Sequence, residues 1–310
     1  FRTDMVNRPM AWRVASEARQ KERPGKKRPA RWQACVARQR WAALAMMLLV
    51  ACSRADSQRA DGAEPDSAHE TLRGPVPQAG LGYRVAPLAA MGRITGTVTF
   101  DGPAPIDSTV HVTRDVDLCG ETLLDISVEH HGAELANVIV WLDGVAAGKP
   151  FPVTRRYDVT NDQCRVVPRV QAAIAGGTLN VRNADQGTHV ARFTRWSDGA
   201  VLATVAETEP GAVVPMRTVL AQPALVEVQC DLHPWSRGWI AVFGQPYFTA
   251  TDKDGAYTID SVPPGRYRLS VWHERFGTRS DSVTVVAGSP TALNVRFGAQ
   301  AVTSPSAARN

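Results

Sequence analysis

From Gly92 onward, apolar and polar residues alternate with a period of two, in short runs separated by turn residues. RITGTVTF (93–100), STVHVT (108–113) and ANVIVWL (136–142) have this form, broken by Asp101-Gly102-Pro103 and Asp143-Gly144. YDVT (157–160), VVPRVQAAI (166–174), TLNVRNAD (178–185) and THVARFT (188–194) continue it, and VLATVAE, AVVPMRTVL and ALVEVQC follow. Side chains two apart share one face of a strand, so these runs predict half-buried strands. No stretch holds a helical period for long. Many short strands with turns between them predict an all-β protein made of sandwiches or a barrel.

The pattern is absent at the front of the chain. Residues 53–91 are rich in Ala, Gly, Pro, Ser and charge and read as a flexible linker, with order beginning at Gly92; residues 299–310 read as a disordered tail. Ahead of the linker, the basic VARQR (36–40) precedes an apolar run from Trp41 to Ala51, too short to span a bilayer and of signal-peptide length. The run ends in Leu49-Val50-Ala51-Cys52, which resembles the lipobox of bacterial lipoproteins. That resemblance implies a signal peptide over 36–52, a lipid on Cys52 and a soluble part tethered to the membrane. An ordinary secretory signal is the alternative. Residues 1–35 read as a non-native or disordered extension.

Charge follows the same division. The formal net charge is +5, but residues 1–51 hold twelve Lys and Arg against three Asp and Glu, which leaves the remainder mildly acidic. Nothing in the folding part argues for a nucleic-acid partner.

Of five cysteines, Cys35 precedes the signal and Cys52 would carry lipid, so Cys119, Cys164 and Cys230 remain in the exported part. An odd thiol in an oxidising compartment must be protected, paired or metallated. If Cys119 and Cys164 form a disulfide, Cys230 is left for a metal; their spacing does not show proximity. Cys230 lies in VEVQCDLHPWSRGWIAVFG (226–244), where two strand-like runs flank a short loop with His233 three residues on. A thiolate and an imidazole together suit copper or zinc.

The signature C-x2-H-P-aromatic-x-R-G at Cys230, His233, Pro234, Trp235, Arg237 and Gly238, with the upstream strand GGTLNVRNAD and a histidine after it, resembles the cupredoxins of the amicyanin-like, methylamine-utilisation type. The resemblance covers about 150–245 and implies a Greek-key β-sandwich holding a type 1-like copper. It gives the trigonal ligand roles to His189, Cys230 and His233, and a covering and electron-exit role to Pro234 and Trp235. The edge of His233 is the expected exit. Two positions depart from the family. Where it places an axial methionine this chain has Ser236, so the site is three-coordinate, takes a water, or recruits Met216 from another strand. Where it usually carries a bracing asparagine this chain has Val190.

Thr251 to Tyr257 (T-D-x-D-G-x-Y) and Pro263 to Leu269 (P-P-G-x-Y-x-L) resemble the carboxypeptidase regulatory-like sandwich, an immunoglobulin/transthyretin-like fold. Its usual first strands appear far upstream, at Gly96 to Val98 and Ala136 to Leu142. The expected arrangement is therefore one sandwich from 92–148 with 246–298, interrupted by the cupredoxin-like segment; two consecutive domains dividing near residue 245 are the alternative. His130-His131 fit an exposed hairpin, His273 a structural role, and Asp252 and Asp254 a turn rather than a calcium loop.

No Ser-His-Asp set, phosphate loop or paired-carboxylate motif stands out, so no enzyme is expected. The expectation is an electron-carrying copper protein of the bacterial cell envelope, periplasmic or outer-surface facing, with a cytochrome or oxidoreductase as partner. Its rivals are a non-redox structural or binding lipoprotein with a degenerate site, and a copper storage or delivery protein.

Overall fold

The computed structural model describes residues 82–102 and 108–298. Cys52, the signal segment, most of the linker and the 299–310 tail lie outside the described residues. The protein is all-β; its one described α-helix is the four-residue Val116–Cys119.

Four sheets stack as layers. The first has the order Ala256–Val262, Gly92–Phe100, Glu134–Leu135, His130–His131, with Pro290–Ala292 and Val295–Phe297 also paired to Gly92–Phe100. The second runs Phe248–Ala250, Ile139–Leu142, Gly265–His273, Gly277–Val285. Strands from both ends of the described chain thus share both of these sheets. The third layer runs Val170–Ile174, Arg237–Phe243, Ala224–Cys230, His189–Arg195, Val201–Glu207, and the fourth Arg165–Val167, Arg156–Asp162, Thr178–Asn183, Val213–Met216.

Three apolar seams hold the layers together. Ile94, Val98 and Ile259 meet Val140, Leu142, Leu269 and Val271 between the first two. Ala191, Phe193, Val226, Val228 and Ile240 meet Val159, Leu179 and Val181 between the last two. The middle seam joins the sandwiches, with Ile139, Trp141 and Trp272 packed on Val170, Leu225, Trp239, Ala241 and Phe243. Trp239 and Trp272 meet edge to face at 5.2 Å between centroids. The inner sheets are therefore covered on both faces, as in buried sheets whose strands read as nearly continuous apolar runs. Within Ile139–Leu142, residues 139 and 141 face the middle seam and 140 and 142 the first. Every residue of that strand is buried.

Polar groups lock the same junction. Arg169 and Glu274, both largely buried, form a bidentate pair at 2.6 and 2.7 Å. Beside them His273 is fully enclosed; its Nδ1 accepts the Arg275 backbone N–H. Burial, reinforced by the positive charges of Arg169 and Arg275, pushes its pKa down to about 3.

Two segments differ from the expectation. Order starts before Gly92: Arg84–Val85 pair in parallel with Ala147–Gly148, and the Tyr83 ring packs on Phe151 and Tyr247. Two paired residues are too few to register as a period. The predicted strand at 108–113 shortens to Thr109–His111, and it pairs with Thr122–Leu124 in a separate ribbon rather than joining a layer. Alternation reports two unlike faces but does not name the partner strand. His130–His131 lie in an exposed hairpin with Glu134–Leu135, and the Asp252 carboxylate accepts the N–H groups of Asp254 and Ala256 within a turn.

Glu274→Ala is expected to destabilise the protein by roughly 3–5 kcal/mol in urea unfolding, since it strands a buried guanidinium. The neutral His273 predicts a second effect. Its folded pKa lies below the ordinary value of 6.5, so its contribution is intact above pH 6.5 and is lost as pH falls toward 3. Between pH 7 and pH 5 the wild type should lose roughly 2 kcal/mol more than His273→Gln.

Candidate metal centre

The three suspected ligands converge at one end of the third layer. Cys230 is the last residue of its strand and lies opposite Ala191 in the neighbouring strand, whose first residue is His189. Positions 189 and 191 share a face, as do opposed residues on adjacent strands, so both ligands point to the seam between the third and fourth layers. The loop to Arg237 returns His233 to the same place. Ser236 N–H donates to the His233 carbonyl at 2.8 Å and Cys230 N–H to the Ser236 carbonyl at 3.0 Å, closing the loop on itself.

His189 Nδ1 lies 3.7 Å from Cys230 Sγ, His233 Nδ1 lies 3.5 Å from it, and the two Nδ1 atoms are 3.1 Å apart. All three residues are buried and Cys230 is a free cysteine. The outer nitrogens are both held by carboxylates, His189 Nε2 by Asp185 Oδ2 and His233 Nε2 by Asp115 Oδ2, each at 2.9 Å. An ionised carboxylate only accepts, so these contacts assign the hydrogen to Nε2 and leave a lone pair on each Nδ1. Two lone pairs and a sulfur facing one another are favourable when they share a proton or a metal ion. A trigonal set with metal–nitrogen lengths of about 2.0 Å and metal–sulfur of about 2.3 Å has edges of about 3.5 and 3.7 Å. The observed triangle fits such an ion within a few tenths of an ångström.

Electrostatics agree with ligation by neutral imidazole. Burial and then the neighbouring His233 hold the pKa of His189 below its ordinary value, partly opposed by Asp185. The sulfur receives the Val190 backbone N–H at 3.4 Å. Val190 also accepts Asp231 N–H at 2.8 Å through its carbonyl, so main-chain atoms at this position brace the two ligand segments.

Beneath His189 is a buried polar layer that the motif did not announce. Glu207, opposite His189 across the strand pair, accepts Asn161 Nδ2 at 2.9 Å. Burial pushes its pKa up to about 7, partly opposed by that hydrogen bond. Asn183 Nδ2 donates to the Glu207 and Gly187 carbonyls, and its Oδ1 accepts Asp185 N–H. Asp185 in turn accepts Gln163 N–H at 2.7 Å and Cys164 N–H at 2.9 Å. Asn183 and Asp185 belong to the quoted GGTLNVRNAD stretch, so part of this support was visible as a motif without a role. Asp115 carried no signal at all.

The axial candidates separate. Met216 pairs with Leu179, four residues before Asn183, so it stands about 13 Å along the sheet from the ligand end and packs in the core. It is not an axial ligand. Ser236 is buried in the ligand loop, and its Oγ has no hydrogen-bond partner among the described residues. The cover also differs from the expectation. The ring of His233 has no exposed edge, because Asp115 closes over its Nε2. Pro234 is exposed and Trp235 half-buried, its ring 5.3 Å from that of His233. Cys119 and Cys164 are joined as a disulfide.

The model of the carboxypeptidase regulatory-like domain matches residues 239–298, a stretch that begins inside the third layer and runs through the second to the first. No curated protein matches the chain. Similar solved structures include amicyanin from Paracoccus versutus, at 18% identity over 30% of this chain and 84% of that one, with a TM-score of 0.24. A purple cupredoxin from Nitrosopumilus maritimus is 18% identical over 28% of this chain and 98% of its own, at a TM-score of 0.24. Auracyanin from Roseiflexus castenholzii is 10% identical over 29% and 98%, at 0.25.

Proposed function

We propose that His189, Cys230 and His233 hold a copper ion in a type 1-like site, and that the protein carries single electrons at the bacterial cell envelope, tethered through a lipid on Cys52. The observation that carries this reading is the buried triangle of two carboxylate-backed Nδ1 atoms and one sulfur. Copper in a thiolate–imidazole set supplies a one-electron couple whose two states accept similar geometry. The chain supplies the rest. Asp185 and Asp115 orient the rings, Val190 N–H stabilises the sulfur's negative charge, and the apolar seam excludes water and limits rearrangement on electron transfer. The partner is a cytochrome or another oxidoreductase, and the protein itself turns over no substrate.

Ser236 favours a second reading. A buried hydroxyl is a hard, weak partner for Cu(I), and a three-coordinate thiolate–imidazole site suits copper storage or delivery.

Adding Cu(II) to the full chain should produce an intense visible thiolate-to-copper band that is absent from Cys230→Ala. His189→Ala and His233→Ala should each weaken Cu(II) binding by more than the roughly 10–100-fold typical of outer-shell losses. No copper uptake by the wild type would sink the assignment. Reversible voltammetry supports electron transfer, whereas a stable Cu(I) complex without it supports delivery. Ser236→Met, which offers a thioether, should raise the potential by favouring Cu(I).

A further inference from the structure

The segment that covers His233 belongs to the other sandwich. It leaves the first layer after Gly92–Phe100 and returns to it at His130–His131; between them Thr109–His111 and Thr122–Leu124 form a ribbon with the helix Val116–Cys119 at its tip. Several contacts fasten this arm beside the ligands. Cys119 is bonded to Cys164, whose own N–H holds Asp185. Val112, Leu123 and Trp235 pack around the disulfide. Leu118 lies so close to Gly187, two residues before His189, that a Cβ at 187 would overlap it. Arg165 Nη2 donates to the Leu124 carbonyl at 2.6 Å.

At the start of the helix Asp115 adopts a left-handed backbone, φ 53° and ψ 41°, and makes no side-chain cap to the helix it precedes. That conformation costs an L-residue about 1 kcal/mol or more, although Asp tolerates it better than most. Its carboxylate instead reaches His233 Nε2, 118 positions away in sequence. A strained residue that leaves its helix uncapped in order to reach a buried imidazole of a ligand triangle has a role at the triangle.

We propose that Asp115 is a positioning residue of the metal centre, supplied by the neighbouring sandwich, which fixes His233 with its hydrogen on Nε2 and its Nδ1 lone pair facing Cys230. The inference rests on the copper reading for its purpose but not for its geometry. With Asp185 acting identically on His189, the centre has two carboxylate–imidazole pairs, and the Cys119–Cys164 disulfide ties the segments that deliver them. A carboxylate behind an imidazole raises the basicity of the opposite nitrogen, which strengthens binding of the more highly charged Cu(II) more than of Cu(I). The carboxylates thus bias the centre toward Cu(II) in the same direction as the absence of a thioether at Ser236, and a complete centre requires both sandwiches.

The test compares the full chain with Asp115→Asn, Asp115→Ala and, as a surface control, Asp254→Asn. Imidazole nitrogen NMR of the metal-free proteins reads the tautomer of His233 directly. The wild type and the control should show Nε2–H alone, and both Asp115 variants should gain the Nδ1–H form. Cu(II) titration should then show affinity lowered roughly 10–100-fold in those variants, with Cu(I) affinity less affected. Each tenfold difference between the two oxidation states raises the potential by about 59 mV for a one-electron couple. Because Asp115 is exposed, unchanged near-ultraviolet circular dichroism checks that the fold is kept. A His233 tautomer and Cu(II) affinity unaltered in both variants would overturn the inference even if the wild type binds copper well. A tautomer shift in a wild-type background that takes up no copper would uphold Asp115 as the positioning residue while removing the copper reading.

Discussion

The aromatic seam between the second and third layers is the contact on which the remaining architecture depends. Trp141, Trp272, Trp239 and Phe243 bury against one another there, and full burial of each large apolar side chain contributes roughly 1.5–3 kcal/mol. That packing, with the Arg169–Glu274 pair at its margin, makes two sandwiches into one four-layer stack. The consequence reaches beyond stability. An arm rooted in the first layer can deliver Asp115 to a loop of the third only because the second layer between them holds a fixed spacing.

The candidate metal centre depends on that rigidity in a second way. Three buried side-chain atoms within 3.7 Å of one another turn their lone pairs inward, an arrangement that is favourable only when they share a proton or a metal ion. The chain holds them there through strand register at His189 and Cys230, two main-chain hydrogen bonds in the loop, and the two carboxylates behind the rings. A site prepared in this way needs little reorganisation when it is filled. The same support encloses His233, so Asp115, Pro234 and Trp235 rather than a bare imidazole edge form the outer surface beside it.

Much of this was legible in residue order. Period-two runs pointed to the all-β class, and C-x2-H in a short loop after an apolar strand pointed to two candidate ligands whose proximity is local. His189 was reachable through its motif. Asn183 and Asp185 stood in the same stretch, but a hydrogen bond to His189 Nε2 has no pattern of its own. Met216 shows the reverse failure. Its chemistry suited an axial ligand, yet the register that pairs it with Leu179 sends it to the far end of the sheet.

Sequence by itself determined the local chemistry: which segments extend, which face of each is apolar, and which thiol and imidazoles can reach one another across a few residues of loop or adjoining strand. Only the tertiary structure decided that the apolar runs of Ile139–Leu142 and Ala224–Cys230 are buried on both faces, that Cys119 meets Cys164, and that Asp115 closes over His233. The reason is physical. Alternation and short motifs record each residue's immediate surroundings, whereas contacts between positions 45 or 118 residues apart are set by how whole sheets stack, and that stacking is the sum of many side chains none of which specifies it alone.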